Sequence, residues 1–199
     1  RDIIPNHYLW HKGPYTVVKK CNPIKVEIIV RGYLTGNSPT SIWTLYNKGE
    51  REFGGVTLAD GMTKHQKLDN VLITPTTKGE TDEPLTLEEL TTRGYFTTSQ
   101  KNYVLSKARE FFEYGQEHAK EMGNYFIDFA KKMSSVKKVK GRGLMLGLEF
   151  DFPVGPLRKE LIYNQHIFTG GSSNKNLLRI LPPLTIQKKH FDIFFQKLE

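Results

Sequence analysis

The chain has 199 residues, with 29 Lys and Arg against 21 Asp and Glu, six His and a single Cys. Such a length allows one domain or two small ones, and 38% hydrophobic with 12% aromatic residues excludes a disordered polymer. One Cys excludes a disulfide framework and a Cys-rich metal site, and no apolar run approaches the roughly 20 residues needed to span a bilayer.

The opening RDIIPNHYLW lacks the basic and apolar regions of a signal peptide. Its start at Arg rather than Met points to a processed, trimmed or partial chain. The lone Cys fits a reducing compartment, so a cytoplasmic location is expected. Charge is uneven: residues 1–123 carry 16 Lys and Arg against 15 Asp and Glu, and residues 124–199 carry 13 against 6. The excess comes as the pairs Lys131-Lys132, Lys137-Lys138 and Lys188-Lys189, with no aromatic-interleaved basic stripe. Solvated surface is the expectation, and neither a nucleic-acid nor a membrane partner is expected.

In chain order, residues 15–20 and 24–30 are β-branched, short and bounded by Pro or Gly, which predicts strands. In the second, Ile24, Val26, Ile28 and Val30 share one face. RGYLTGNSPTS reads as a loop, Ser41–Tyr46 as a short helix, and residues 47–70 as irregular with turns at Asn47-Lys48-Gly49 and Asp60-Gly61. Val71–Thr74 predicts a short strand ending at Pro75. Thr86-Leu87-Glu88-Glu89 is a capping-box pattern opening a helix.

Residues 99–133 form the strongest element. Val104, Ala108, Phe111, Gly115, Ala119, Met122, Phe126, Phe129 and Met133 recur at steps of three or four, one helical stripe. Gly115 and Gly123 are where such a long helix could bend. Val139–Phe150 then predicts a glycine-punctuated strand, Leu157–Asn164 a helix, and Leu177–Leu181 a buried strand stopped by Pro182-Pro183. Thr185 is expected to cap a last helix with Phe191, Phe194, Phe195 and Leu198 inward.

The most informative early site is Glu27 and Arg31, four apart on a strand and so on one face. Arg31 is expected to open the loop RGYLTGN, where a planar guanidinium and loop amides could receive phosphate or carboxylate. Gly141-Arg142-Gly143 with Gly147 is not a dinucleotide fingerprint, since no helix start follows. His7 and His11 lack the helical context of a zinc pair, and no metal ligand is assigned.

PIKVEIIVRGYLTGNS, SIWTLYNKGEREFGGVTLADGM, KHQKLDNVLITPTTKGETDEPLT and GQEHAKEMG resemble the SAICAR synthetase family over residues 1–123. The resemblance implies an ATP- and magnesium-dependent ligase of purine biosynthesis. It joins aspartate to a carboxyaminoimidazole ribotide, with the carboxylate activated as an acyl phosphate. It further implies that Glu27 and Lys78 lie on the nucleotide side, and that Arg31, Asn37, Ser38 and Asp82 contact the substrate. Asn37 stands where the family usually has Ser, and Thr81 where it usually has His before the Asp. The family's glycine-rich strand pair and phosphate-facing Lys fall before Arg1. Its magnesium-binding acidic stretch has no counterpart after Gly123.

Residues 124–199 resemble a different family. VKGRGLMLGLEFD, LRKELI and HIFTGGSSNKNLLRILPPLTI are similar to the C-terminal small domain of acetylornithine-type aminotransferases, which use pyridoxal phosphate (PLP). That resemblance implies that Arg179 holds a substrate carboxylate, and no Schiff-base Lys is identified. An Arg among apolar strand residues also needs an anionic partner if it is buried.

The expected architecture is therefore α+β: a partial SAICAR-synthetase-like sheet with helices, joined by a long helix to an aminotransferase-like α/β unit. The expected domains are 1–123 and 124–199, both incomplete. The functional expectation is a ligase lineage acting on a small anionic substrate and inactive as this chain. The alternatives are part of a PLP aminotransferase of arginine biosynthesis or a non-catalytic chimera. A homo-oligomer and complementary segments elsewhere both stay open as partners.

Overall fold

Short antiparallel sheets and helices alternate along residues 4–198, the part of the chain described by the computed structural model, and the fold class is α+β. Two units separate, Arg1–Phe112 and Glu113–Glu199.

In the first unit, β1 (Tyr8–Lys12) and β2 (Tyr15–Val18) form a hairpin turning at Gly13, whose φ is +55°. Strand β1 is not among the expected elements. All five of its residues are exposed, so its sequence carries no alternation of buried and exposed positions. Strand β3 (Val26–Tyr33) continues beyond the expected end, so Arg31 lies inside a strand rather than at the mouth of a loop. The expected helix follows as α1 (Ile42–Asn47). The region expected to be irregular contains the small hairpin β4 (Glu52–Phe53) and β5 (Val56–Thr57), turned by Gly54 and Gly55.

Strand β6 (Lys67–Thr77) returns antiparallel to β3. It does not end at Pro75. Pro75 sits opposite Ile28, and its carbonyl turns away from β3 to accept the Leu85 amide. A residue with outward backbone groups gives no N–H to the ladder, so proline costs the pairing nothing there. One face of the pair packs Val26, Ile28, Val30 and Ile73 against Leu85, Leu90, Phe96, Val104 and Leu105. On the other face Leu72 joins a second cluster with Leu34, Ile42, Tyr46, Phe53 and Leu68. Glu27, Ile29 and Arg31 share that second face with Thr76, Thr74 and Leu72, their register partners.

Helix α2 (Glu89–Thr92) opens as expected. The Thr86 amide donates to Glu89 Oε2 at 2.8 Å, and the Glu89 amide donates to Thr86 Oγ1 at 3.2 Å. The Thr86 amide, followed by Arg93, holds the Glu89 carboxyl below its ordinary pKa. A depressed carboxylate contributes stability above its unfolded pKa, lost as pH falls through the folded one. Thr86→Ala removes the hydroxyl that accepts the Glu89 amide and should cost the first unit about 1 kcal/mol, the usual loss of a cap. Urea unfolding at neutral pH checks this.

Helix α3 (Thr98–Ala130) is unbroken, including at Gly115 and Gly123. Leu105 belongs to a first-unit core, and Met122, Phe126 and Ala130 belong to the second-unit core. The expected stripe is buried at Met122, Phe126 and Met133 but not at Phe111, which is 54% exposed.

The second unit then forms β7 (Lys138–Arg142), β8 (Met145–Glu149), α4 (Gly155–Tyr163), β9 (Leu177–Ile180) and α5 (Lys188–Leu198). The strand expected over Val139–Phe150 is a hairpin, because Gly141 and Gly143 take positive φ and turn the chain back. Sheet order is β7-β8-β9, antiparallel throughout. Thr185 does not cap the last helix, which starts at Lys188; the Gln187 amide instead donates to His190 Nδ1 at 3.0 Å. Phe191, Phe194 and Phe195 face inward as expected, against Phe126, Leu146, Leu148, Leu161 and Leu178.

Candidate functional site

The second face of the β3–β6 pair gathers most of the candidate residues. Glu27 projects from β3, and Lys78 follows the end of β6. The Lys78 amide donates to the Lys25 carbonyl at 2.9 Å, which holds its side chain beside the strand. Lys78 Nζ lies 2.9 Å from Glu27 Oε2 and 2.8 Å from Asp82 Oδ2. Three residues singled out from sequence thus form one ion triad. Hydrogen bonds that Lys78 donates to Asp82 and then to Glu27 raise its pKa, so it stays protonated at neutral pH. The triad carries one positive and two negative charges and does not by itself attract an anion.

Arg31 is the cation with donors to spare. Its Nε donates to Thr74 Oγ1 at 2.9 Å, and among the described residues its two Nη atoms have no partner. Arg31 is half-buried. Burial lowers its pKa, and the Glu27 carboxylate opposes that shift. A guanidinium remains protonated throughout, so the outcome is a partly desolvated cation with a free donor fork. It lines a cleft of about 320 Å³ with Thr74, Thr76, Ile42, Glu50 and Glu52. Thr76 Oγ1 is buried there without a hydrogen-bond partner. A buried hydroxyl left unsatisfied costs free energy that a ligand can recover.

Thr74 and Thr76 are absent from the sequence-level candidates. Their signal is the alternation of TPTT, but using it requires the register that sets Thr74 opposite Ile29 and Thr76 opposite Glu27.

The loop after β3 is anchored rather than free. Leu34 is fully buried, its amide donates to the Gln66 carbonyl, and its carbonyl accepts the His65 amide. Gly36 has φ +117°, and a Cβ there would lie 2.3 Å from Ser41 Cβ, so glycine is required. Asn37 is exposed and accepts a hydrogen bond from Lys64 Nζ through Oδ1, which leaves its amide nitrogen to donate outward. The Ser38 carbonyl accepts the Ser41 amide and hydroxyl. Neither Asn37 nor Ser38 bonds to Arg31.

Magnesium does not fit the residues present. Glu27 and Asp82 converge on Lys78, and among the described residues no group of three or more His, Cys, Asp or Glu could hold a metal. PLP does not fit either. Arg179 is exposed, because alternation along β9 turns Leu178 and Ile180 inward and Arg179 out. The condition that burial would force an anionic partner on it is therefore not met. Its side chain lies over Gly170, where a Cβ would come within 2.8 Å of Nε. No Lys is buried among the described residues, so none sits in the desolvated setting that makes an imine-forming amine.

Among solved structures, the chain is similar to ornithine aminotransferase from Toxoplasma gondii ME49, at 19% identity and TM-score 0.39, covering 50% of this chain and 25% of that one. It is also similar to ornithine aminotransferase from Plasmodium yoelii, at 22% identity and TM-score 0.40, covering 50% and 29%. Likeness at these TM-scores does not establish a shared fold. Sequence similarity is stronger. The chain is 46% identical over 130 residues to the chloroplastic phosphoribosylaminoimidazole-succinocarboxamide synthase of Vigna aconitifolia, covering 64% of this chain and 38% of the relative. It is 40% identical over 131 residues to the corresponding synthase of Legionella pneumophila (strain Lens), covering 64% and 42%. The chain spans about two fifths of the length of these curated relatives. The family model for SAICAR synthetase matches residues 1–137, well over half of the chain, and the chain belongs to that family.

Proposed function

We propose that the first unit binds an anionic ribotide through Arg31, as part of the ATP-dependent joining of aspartate to carboxyaminoimidazole ribotide in purine biosynthesis. We further propose that this chain by itself does not complete that reaction. The observation that carries the reading is the free donor fork of Arg31 in a cleft beside the orphan hydroxyl of Thr76. A guanidinium meets a phosphate or carboxylate with two parallel hydrogen bonds, and partial burial strengthens them. The Thr76 hydroxyl can donate to the same anion. Asn37 supplies a further outward donor from the anchored loop. Lys78 orders Glu27 and Asp82 rather than presenting a bare charge.

Phosphoryl transfer depends on positioning a triphosphate and neutralising its charge. Lys78 is compensated by two carboxylates, and the residues present do not hold magnesium. Turnover therefore requires groups that these residues do not supply. A cytoplasmic location belongs to the same reading and rests on the single Cys, which fits a reducing compartment. The aminotransferase alternative rests on the resemblance of residues 124–199, and Arg179, its carboxylate-binding candidate, is exposed.

Calorimetric titration of the full chain with carboxyaminoimidazole ribotide tests the reading. Saturable heat is expected, and adding ATP, magnesium and aspartate should yield no product. Thr76→Val should weaken ribotide binding about fivefold without lowering the unfolding midpoint, because the hydroxyl it removes bonds to nothing in the free chain. Absence of binding would overturn the site, and ATP-dependent product would overturn the proposed inactivity.

A further inference from the structure

We propose that a second copy of this chain adds its β3 to the open edge of β3, forming a two-fold antiparallel pair centred on Ile29. The alternation of the β3–β6 ladder sets the stage. Glu27, Ile29 and Arg31 bond to β6, whereas the backbone groups of Val26, Ile28 and Val30 face the other edge, as the outward carbonyl of Pro75 opposite Ile28 shows. Among the described residues no other strand pairs with that edge. An edge of this kind is a template for a further strand.

The sequence of β3 is complementary to itself. A two-fold pairing centred on Ile29 sets Ile28 opposite Val30 of the other copy and Glu27 opposite its Arg31. Opposite charges directly across a pair of strands attract, and like charges repel. Slipping the centre to Ile28 would set Lys25 against Arg31, so charge selects the register centred on Ile29. Within one copy Glu27 holds Lys78 through Oε2, and among the described residues its Oε1 has no partner, as with the Nη atoms of Arg31. Both residues thus have atoms left for the second copy.

Beside the edge lies a groove of about 500 Å³ lined by Ile28, Val30, Val104, Ala108 and Phe111. Side chains alternate across a strand, so the Ile28 and Val30 of the added copy fall on the same face as their counterparts. They would enter this groove and cover Phe111, an exposed member of the α3 stripe. Two-fold symmetry makes the contact closed, with the same patch on both copies.

Sedimentation equilibrium of the full chain tests the proposal, with hydrogen exchange of the Ile28 and Val30 amides followed as concentration rises. A monomer–dimer equilibrium is expected, with protection of those two amides tracking dimer fraction. Glu27→Arg should raise the dimer dissociation constant about tenfold or more by facing Arg31 with a like charge, and adding Arg31→Glu should restore it. A monomer at every concentration would overturn the proposal, as would a dimer indifferent to both variants or one that leaves the two amides unprotected. A facing Glu27 would draw on the same Arg31 donors as the ribotide, so ribotide is titrated at concentrations where the chain is monomeric, and failure of the dimer leaves that reading intact.

Discussion

Phe126→Ala should destabilise the second unit by about 3–5 kcal/mol. Phe126 is fully buried, and its ring centroid lies 5.0 Å from that of Phe191 and 4.9 Å from that of Phe195. Truncation removes the transfer free energy of the ring and leaves a cavity between α3 and α5. The neighbours cannot close it easily, because Phe191, Phe194 and Phe195 are fixed on one helix. The first unit has its own cores around Leu72 and Ile73. Unfolding followed by denaturant titration should therefore show the loss confined to the second unit. A loss below about 1 kcal/mol would mean that the three phenylalanines do not form the core described.

Gly123→Ala should also destabilise, against the local preference. Alanine in a helix interior is favoured over glycine by about 1 kcal/mol. At Gly123, however, an added Cβ would lie 2.2 Å from the Gly143 carbonyl oxygen and 2.7 Å from its carbon. Both are backbone atoms of the β7–β8 turn, so relief requires moving the hairpin. Overpacking of this kind costs about 1–3 kcal/mol or more, and a net loss near 2 kcal/mol is expected by thermal unfolding. A gain in stability would show that the turn does not seat on the helix at this point. The residue that sequence marks as a place for α3 to bend is thus the place where α3 receives another backbone.

Local signals carried much of the fold. The stripe from Val104 to Met133 predicts α3, and Thr86 with Glu89 predicts the capping box, since both depend on neighbours three or four residues away. Strand β1 has no such signal, because all its side chains are exposed. The β7–β8 hairpin is hidden because two of its glycines resemble punctuation within one strand until their positive φ is known.

The candidate site was legible by residue type and not by arrangement. Glu27, Arg31, Lys78 and Asp82 emerge from sequence motifs. That Glu27 joins the local neighbour Asp82 in neutralising Lys78, and that Arg31 keeps its donors free, depends on the β3–β6 register. The same register brings Thr74 and Thr76 to Arg31. Arg179 illustrates the converse. Its neighbours Leu178 and Ile180 are buried, and strand alternation places the residue between them on the open side.

Both faces of the β3–β6 pair pack core residues, and the central claim is that Arg31, on the second, binds the anion. Arg31→Ala tests it most directly, with ribotide affinity and urea unfolding measured on the same preparation. Loss of a charge-assisted fork should weaken binding by about ten- to a hundredfold, while removal of one hydrogen bond to Thr74 should shift unfolding by no more than about 1 kcal/mol. Unchanged ribotide affinity in a folded variant would contradict the account.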